Sequence, residues 1–189
     1  MIAYPAFVSP WRFTADDVER MAEVGILGED TAAELVDGEI VRTSPTSPKH
    51  ASVVSRMVAA FHRMAVDRVH IRSRGPIRLG AYSQTAPDVT LLKRRDDDYM
   101  RAHPTAADVL LAVEVADMSL PFDVQVKLPL YARHGIAESW IVDPNAGIVY
   151  ACVDPTDVGY RTIRAFGAGE TLAADAIENL RIKIREFLR

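Results

Sequence analysis

Apolar positions along the chain recur with two different periods, and the change of period from block to block lays out an α/β protein. Val54, Met57, Val58, Phe61, Met64 and Ala65 follow helical spacing behind Ser47 as N-cap and Pro48 at the first helical position, which predicts a helix over roughly 48–66. Thr14 can cap a short helix carrying Val18, Met21 and Ala22 on one face. Between these two helices, Asp37-Gly38 separates two short apolar runs, the signature of a β-hairpin over 34–41. Strands are expected at about 70–80, bent at Gly75-Pro76, and at 86–93, opening with Pro87. Val109, Leu111, Val113 and Val115 alternate with Leu110, Ala112, Glu114 and Ala116, so this strand is apolar on both sides and buried on both faces.

Further along, a helix over about 121–134 should end at Gly135, followed by a strand at Ser139–Asp143 and its continuation at Ile148–Val153, with Gly147 at the turn. Pro129 deprives the Gln125 carbonyl of its donor, so that helix must kink or start late. Leu180, Ile182, Ile184 and Leu188 fit strand or helix equally well. Residues 94–107, with Asp96-Asp97-Asp98, read as a solvated loop.

Composition narrows the class of protein. At 189 residues the chain suits one domain, with an N-terminal arm over 1–33, a core over 34–153 and a C-terminal extension over 154–189. One cysteine, Cys152, forms no internal disulfide, which fits a reducing compartment and a cytoplasmic setting. No apolar run approaches a membrane span and the start lacks the pattern of a secretory signal, so no membrane partner is expected. The net charge of -4 supplies no bulk attraction to nucleic acid.

The candidate chemistry lies in three residues taken in order: Asp88 in Pro87-Asp88-Val89, Glu114 in its apolar strand, and Lys127 on the following helix. A carboxylate in such a strand must be paired, neutralised or bound to a cation. Two carboxylates from neighbouring strands with an ammonium nearby are the parts that hold a divalent metal and set a water against a phosphodiester. The plainer alternatives are that Lys127 is solvated and that Glu114 pairs with an arginine. Glu34 is either an additional acidic group at the site or a surface hairpin carboxylate. His50, in the first turn of its helix, either contacts phosphate and accepts a proton or makes a structural hydrogen bond. Tyr131, four residues after Lys127, shares its helix face and either packs or bonds to the site, while Asp123, four residues before, can pair with Lys127. Trp140 reads as core or interface. Arg72, Arg74 and Arg78 alternate toward one side of their strand, as phosphate contacts or as a solvated face.

The predicted order from residue 48 is helix, three strands, helix, strand, and here the chain resembles the PD-(D/E)xK nuclease superfamily. Glu34-Leu35-Val36-Asp37-Gly38-Glu39, His50, Pro87-Asp88-Val89, Val113-Glu114-Val115-Ala116-Asp117-Met118-Ser119, Asp123 with Lys127 and Tyr131, and Glu138-Ser139-Trp140-Ile141-Val142-Asp143-Pro144 after Gly135 resemble the Uma-two family of proposed bacterial restriction endonucleases. The resemblance implies a restriction-endonuclease-like core, a mixed central sheet flanked by helices, with an N-terminal hairpin. It implies Asp88 and Glu114 as metal ligands with the Val115 carbonyl as a third oxygen, Mg²⁺ or Mn²⁺ as the cofactor, Glu34 and His50 assisting, and DNA as the substrate of phosphodiester hydrolysis. The pattern's lysine two residues after the glutamate is replaced by Ala116, and Lys127 is its expected substitute. The resemblance, together with the N-terminal arm and the C-terminal apolar segment, points to a homodimer. A non-cleaving module for nucleic-acid binding or protein interaction is the alternative, since a fold alone does not guarantee activity.

Overall fold

The computed structural model of the protein describes residues 8–28, 31–43 and 46–188. Helix α1 (Ala15–Glu23) starts at Thr14, whose hydroxyl accepts from the Asp17 amide while the Asp17 carboxylate accepts from the Thr14 amide. This reciprocal cap satisfies amides that the first turn cannot pair internally. Strands β1 (Ala33–Val36) and β2 (Glu39–Arg42) form the expected hairpin, with Asp37 and Gly38 at φ of 50° and 83°. The hairpin end is tied down by the Gly38 amide donating to the Tyr82 carbonyl at 2.7 Å and the Phe13 amide donating to the Gly38 carbonyl at 2.9 Å. Helix α2 (Pro48–Ala65) is capped by the Ser47 hydroxyl, which accepts from the His50 amide at 3.0 Å.

The strand expected over 70–80 is in fact two strands in different sheets. β3 (His70–Ser73) pairs with β6 (Val89–Leu92), whereas β4 (Ile77–Arg78) pairs with β5 (Gln84–Thr85), which in turn pairs with β1. Arg74 adopts φ of 53°, and Pro76 has no amide to donate, so the ladder of β3 cannot continue through Gly75. Arg78 accordingly does not join Arg72 on one strand face; it pairs with Asp16 and Glu19 of α1.

β7 (Val109–Val115), β8 (Glu138–Asp143), β9 (Ile148–Thr156) and β10 (Gly159–Gly167) complete a six-stranded sheet in the order β10-β9-β8-β7-β6-β3. It is mixed: β7 and β8 run parallel and every other neighbouring pair is antiparallel. The crossover from β7 to β8 is a helical segment of three parts, α3 (Leu120–Phe122), a π-helical stretch at Asp123–Lys127 and α4 (Leu128–Arg133). This resolves the Pro129 problem in chain terms. The Leu128 amide donates back to the Asp123 carbonyl, five residues away, and α4 starts late enough to place Pro129 in its first turn, where no amide is needed.

Alternate residues of β7 enter different cores, as its two-sided apolar pattern requires. Leu111, Val113 and Val115 pack with Val54, Met57 and Phe61 of α2 and with Trp140, whereas Ala112 meets Leu130 and Tyr131 of α4. Trp140 is therefore core. Past residue 167, β11 (Thr171–Ala173) pairs with β12 (Arg181–Lys183), and a short 3₁₀ turn follows at Ile184–Glu186. Leu180, Ile182, Ile184 and Leu188 are all buried in the core that α2 covers.

A Cβ added at Gly38 would lie 2.6 Å from the Arg12 Cβ, in addition to the left-handed backbone it would have to adopt. Gly38→Ala should therefore destabilise the protein by about 1–2 kcal/mol from the backbone alone. The measurement is a urea titration, where a lower midpoint at unchanged slope is expected and an unchanged midpoint would contradict the turn geometry.

Candidate functional site

The small sheet, the large sheet, the N-terminal turn of α2 and the π-helical stretch converge on one cavity of about 650 Å³, lined by Glu34, His50, Asp88, Glu114, Asp123 and Lys127 among others. The acidic, histidine and lysine side chains singled out from the sequence for chemistry therefore line one cavity, whereas Arg72 and Arg78 lie outside its lining. Pro87 ends the approach to β6, so Asp88 stands just outside the ladder that begins at the Val89–Val113 pair. Its Oδ2 accepts from the Val115 amide at 2.8 Å and lies 2.8 Å from Nε2 of His50. The strand register carried one step further sets Asp88 opposite Glu114, and residues so placed have Cβ atoms about 4.5–5.5 Å apart.

Glu114 points to the α4 side of the sheet, the same side as Ala112 and Ala116, and the two alanines leave room for the helical crossover to lie close. There the Lys127 ammonium donates to Glu114 Oε1 at 3.2 Å and to Glu34 Oε1 at 3.0 Å, with Asp123 Oδ1 at 4.0 Å. The Tyr131 hydroxyl donates to the same Glu114 oxygen and accepts from the Thr85 hydroxyl at 3.3 Å. Asp123 accepts in turn from the Ser119 hydroxyl, and Glu34 Oε1 accepts from the Ala86 amide at 3.3 Å.

These contacts decide several open readings. Lys127 is 5% exposed, so it is not a solvated helix residue, and Glu114 pairs with this lysine rather than with an arginine. Glu34 is 7% exposed and belongs to the site rather than to the hairpin surface. His50 makes its hydrogen bond to Asp88, leaving Nδ1 buried with no partner among the described residues. Tyr131 both packs and bonds. The Thr85 contact and the Ala86 amide were not readable from the sequence, because β5 is only two residues long and carries no periodic signal.

The electrostatics are lopsided at the buried floor: Glu34, Glu114 and Asp123 surround Lys127, and Asp88 and Asp117 also line the cavity. Burial pushes the Glu114 carboxyl well above its ordinary range, the Lys127 charge works against that rise, and Asp123, Asp88 and Glu34 add to it. Burial likewise raises the Asp123 carboxyl. Burial also opposes the charge on Lys127, but Glu114, Glu34 and Asp123 together outweigh it and hold the ammonium protonated above the usual lysine value. The sign follows for stability. Because the folded-state pKa of Glu114 is raised, its contribution is full below its unfolded value of about 4.5 and is lost as pH rises through the folded value.

A cation bound beside Glu114 would reverse that trend by favouring the ionised form. Asp88 Oδ1 and Glu114 Oε2 have no hydrogen bond to a described residue, and Glu34 Oε2 is buried without a partner. Among the described residues no three carboxylate, imidazole or thiol groups form a ready-made chelate. Two carboxylates, a main-chain oxygen and waters are nevertheless the set that Mg²⁺ takes, since it keeps much of its hydration. The Val115 carbonyl accepts from the Asp117 amide at 3.1 Å and retains a second lone pair. The carboxylate and main-chain oxygens of this set are hard donors, so they fit a hard divalent cation.

Lys127→Met should leave Glu114 and Glu34 buried without a counter-charge and destabilise the metal-free protein by about 3–5 kcal/mol at pH 7. The loss should be smaller at pH 5 than at pH 7, because burial raises the Glu114 carboxyl and protonating it removes uncompensated charge. Urea unfolding at the two pH values measures it, and an equal loss at both would contradict the electrostatic account.

Comparison with known proteins follows the same line. A crystal structure described as a putative nuclease belonging to DUF820 from Anabaena variabilis ATCC 29413 superposes with a TM-score of 0.73 at 14% identity, covering 93% of this chain and 97% of that one. At that identity the likeness concerns the fold. No curated protein matches the chain. Among the described residues no helix is long and apolar enough to cross a membrane. The family model Uma2, described as "Putative restriction endonuclease", matches residues 15–185, and the chain belongs to that family, the Uma-two family.

Proposed function

We propose that the protein is a Mg²⁺- or Mn²⁺-dependent endonuclease that hydrolyses phosphodiester bonds in DNA. The observation that carries this reading is the buried Glu114–Lys127 pair beside Asp88, with one oxygen of each carboxylate left without a protein donor. Asp88 and Glu114 would hold the ion, with the Val115 carbonyl beside them. Bound there, a divalent ion polarises a phosphate oxygen and lowers the pKa of a water enough for attack near neutral pH.

The remaining work belongs to the chain's own groups. The Lys127 ammonium reaches the cavity from the helix side, where it orients water or offsets the charge that develops on phosphate. It does so although Ala116 occupies the place the superfamily gives its lysine. Tyr131 and Glu34 hold Glu114 and Lys127 in position, and His50 fixes the Asp88 carboxylate through Oδ2. A cytoplasmic setting and a homodimer belong to the same proposal. Among the described residues no strand pairs with the outer edge of β10, nine residues long, and an open edge of that length accepts a second strand readily.

Nicking of supercoiled DNA with Mg²⁺ or Mn²⁺ tests the site. Asp88→Ala, Glu114→Ala and Lys127→Ala should each lose about 100-fold or more, and Tyr131→Phe about 10–100-fold. Equal residual cleavage by wild type and Glu114→Ala would remove the site from the mechanism and favour a non-cleaving module. Light scattering at micromolar concentration should give a mass near twice 20.9 kDa; a strict monomer would refute the dimer.

A further inference from the structure

Exposed side chains of two kinds line the mouth of the cavity. Its lining includes Arg42 and Arg74, both exposed, and the Arg74 guanidinium reaches Thr46 Oγ1 at 2.7 Å rather than a carboxylate. Neither arginine has an acidic partner among the described residues, whereas Arg78, Arg95 and Arg133 are paired with Asp16, Asp97 and Asp37. Arg74 is also held in a left-handed backbone at φ of 53°, its amide donating to the Asp88 carbonyl at 3.2 Å. A non-glycine residue kept in that region costs energy that the surrounding structure must supply, and such positions cluster at functional sites. The lining also carries Met118, a large apolar side chain left 78% exposed, and the ring of Phe122, whose centroid lies 6.0 Å from the Lys127 ammonium.

The floor lies deep below this mouth, since Glu114 is 3% and Lys127 5% exposed. The cavity volume of about 650 Å³ falls in the range that encloses a ligand of roughly nucleotide size, about 300–1,000 Å³. A stacked duplex keeps its base faces inside and presents backbone and base edges, so it has no base face to set against an apolar side chain. An unpaired strand offers a phosphate and a bare base face together. Cationic groups tracking the backbone beside an apolar platform for bases are the parts by which single strands are bound.

We propose, on the basis of the nuclease reading above, that this cavity takes single-stranded or locally unpaired nucleic acid, with Arg42 and Arg74 on its phosphates and a base against Met118 and Phe122. The reading selects a substrate class for the site and gives two exposed arginines and an exposed methionine specific work.

Fluorescence anisotropy with a labelled single strand and the same sequence as a duplex, in Ca²⁺, tests it on the intact protein. The single strand should bind at least tenfold more tightly. Arg74→Ala and Arg42→Ala should each weaken binding and flatten the salt dependence, the slope falling by about 0.7 for every phosphate that is no longer neutralised. Met118→Ala, at a surface position that folding does not need, should weaken binding about fivefold or more with the salt slope unchanged. Equal or tighter binding of the duplex, or no binding of either form, overturns the inference, and cleavage that persists in that case leaves the nuclease reading standing. Single-strand preference without metal-dependent cleavage of any substrate would keep the inference and remove the nuclease reading.

Discussion

One ammonium group governs the centre of this protein. Lys127 lies between Glu34 and Glu114 at hydrogen-bond distance from both, with Asp123 at 4.0 Å, and all four side chains are almost fully buried. Charges in such surroundings are strongly unfavourable unless each has a partner, and removing one partner costs more than the pair contributes. The small sheet delivers Glu34, the large sheet delivers Glu114 and the crossover helix delivers Lys127, so this contact also joins three parts of the fold. The single positive charge does not balance the carboxylates around it. A cation bound there would offset that deficit.

The position of that ammonium depends on how the crossover is wound. An uninterrupted α-helix through 120–133 would place Pro129 where a backbone donor is required. The π-helical stretch at Asp123–Lys127 absorbs the mismatch, and Leu128 then packs against Ala116, Ile141 and Cys152. Ala116 is 1% exposed, and a lysine there would occupy space that Leu128 now fills. The small residue at 116 and the approach of Lys127 from the crossover are thus one packing arrangement seen from two sides.

Much of this was legible in the sequence, and the limits have physical causes. Asp37-Gly38 and Ser47-Pro48 mark backbone conformations that few residue types tolerate, so the hairpin and α2 were read within about a residue. Glu114 was legible as an anomaly because alternation along β7 left no other reason for a charge. The division of 70–80 between two sheets was not legible, since Gly75-Pro76 signals a bend without saying that the chain changes partners. The hydrogen bond from Tyr131 was open as one of two readings. Helical spacing from Lys127 gave its face but not the Glu114 oxygen it meets across the sheet. Between Leu180 and Leu188 periodicity could not choose, because β12 is three residues long and gives way at once to a 3₁₀ turn.

The central claim is that Asp88 and Glu114 form a cation site whose charge is arranged around Lys127. Calorimetric titration of the purified protein with Mn²⁺ addresses it without reference to any substrate. The account predicts a binding heat in wild type that disappears in Asp88→Ala and in Glu114→Ala. A heat that survives Glu114→Ala unchanged, or no heat in wild type, would contradict it.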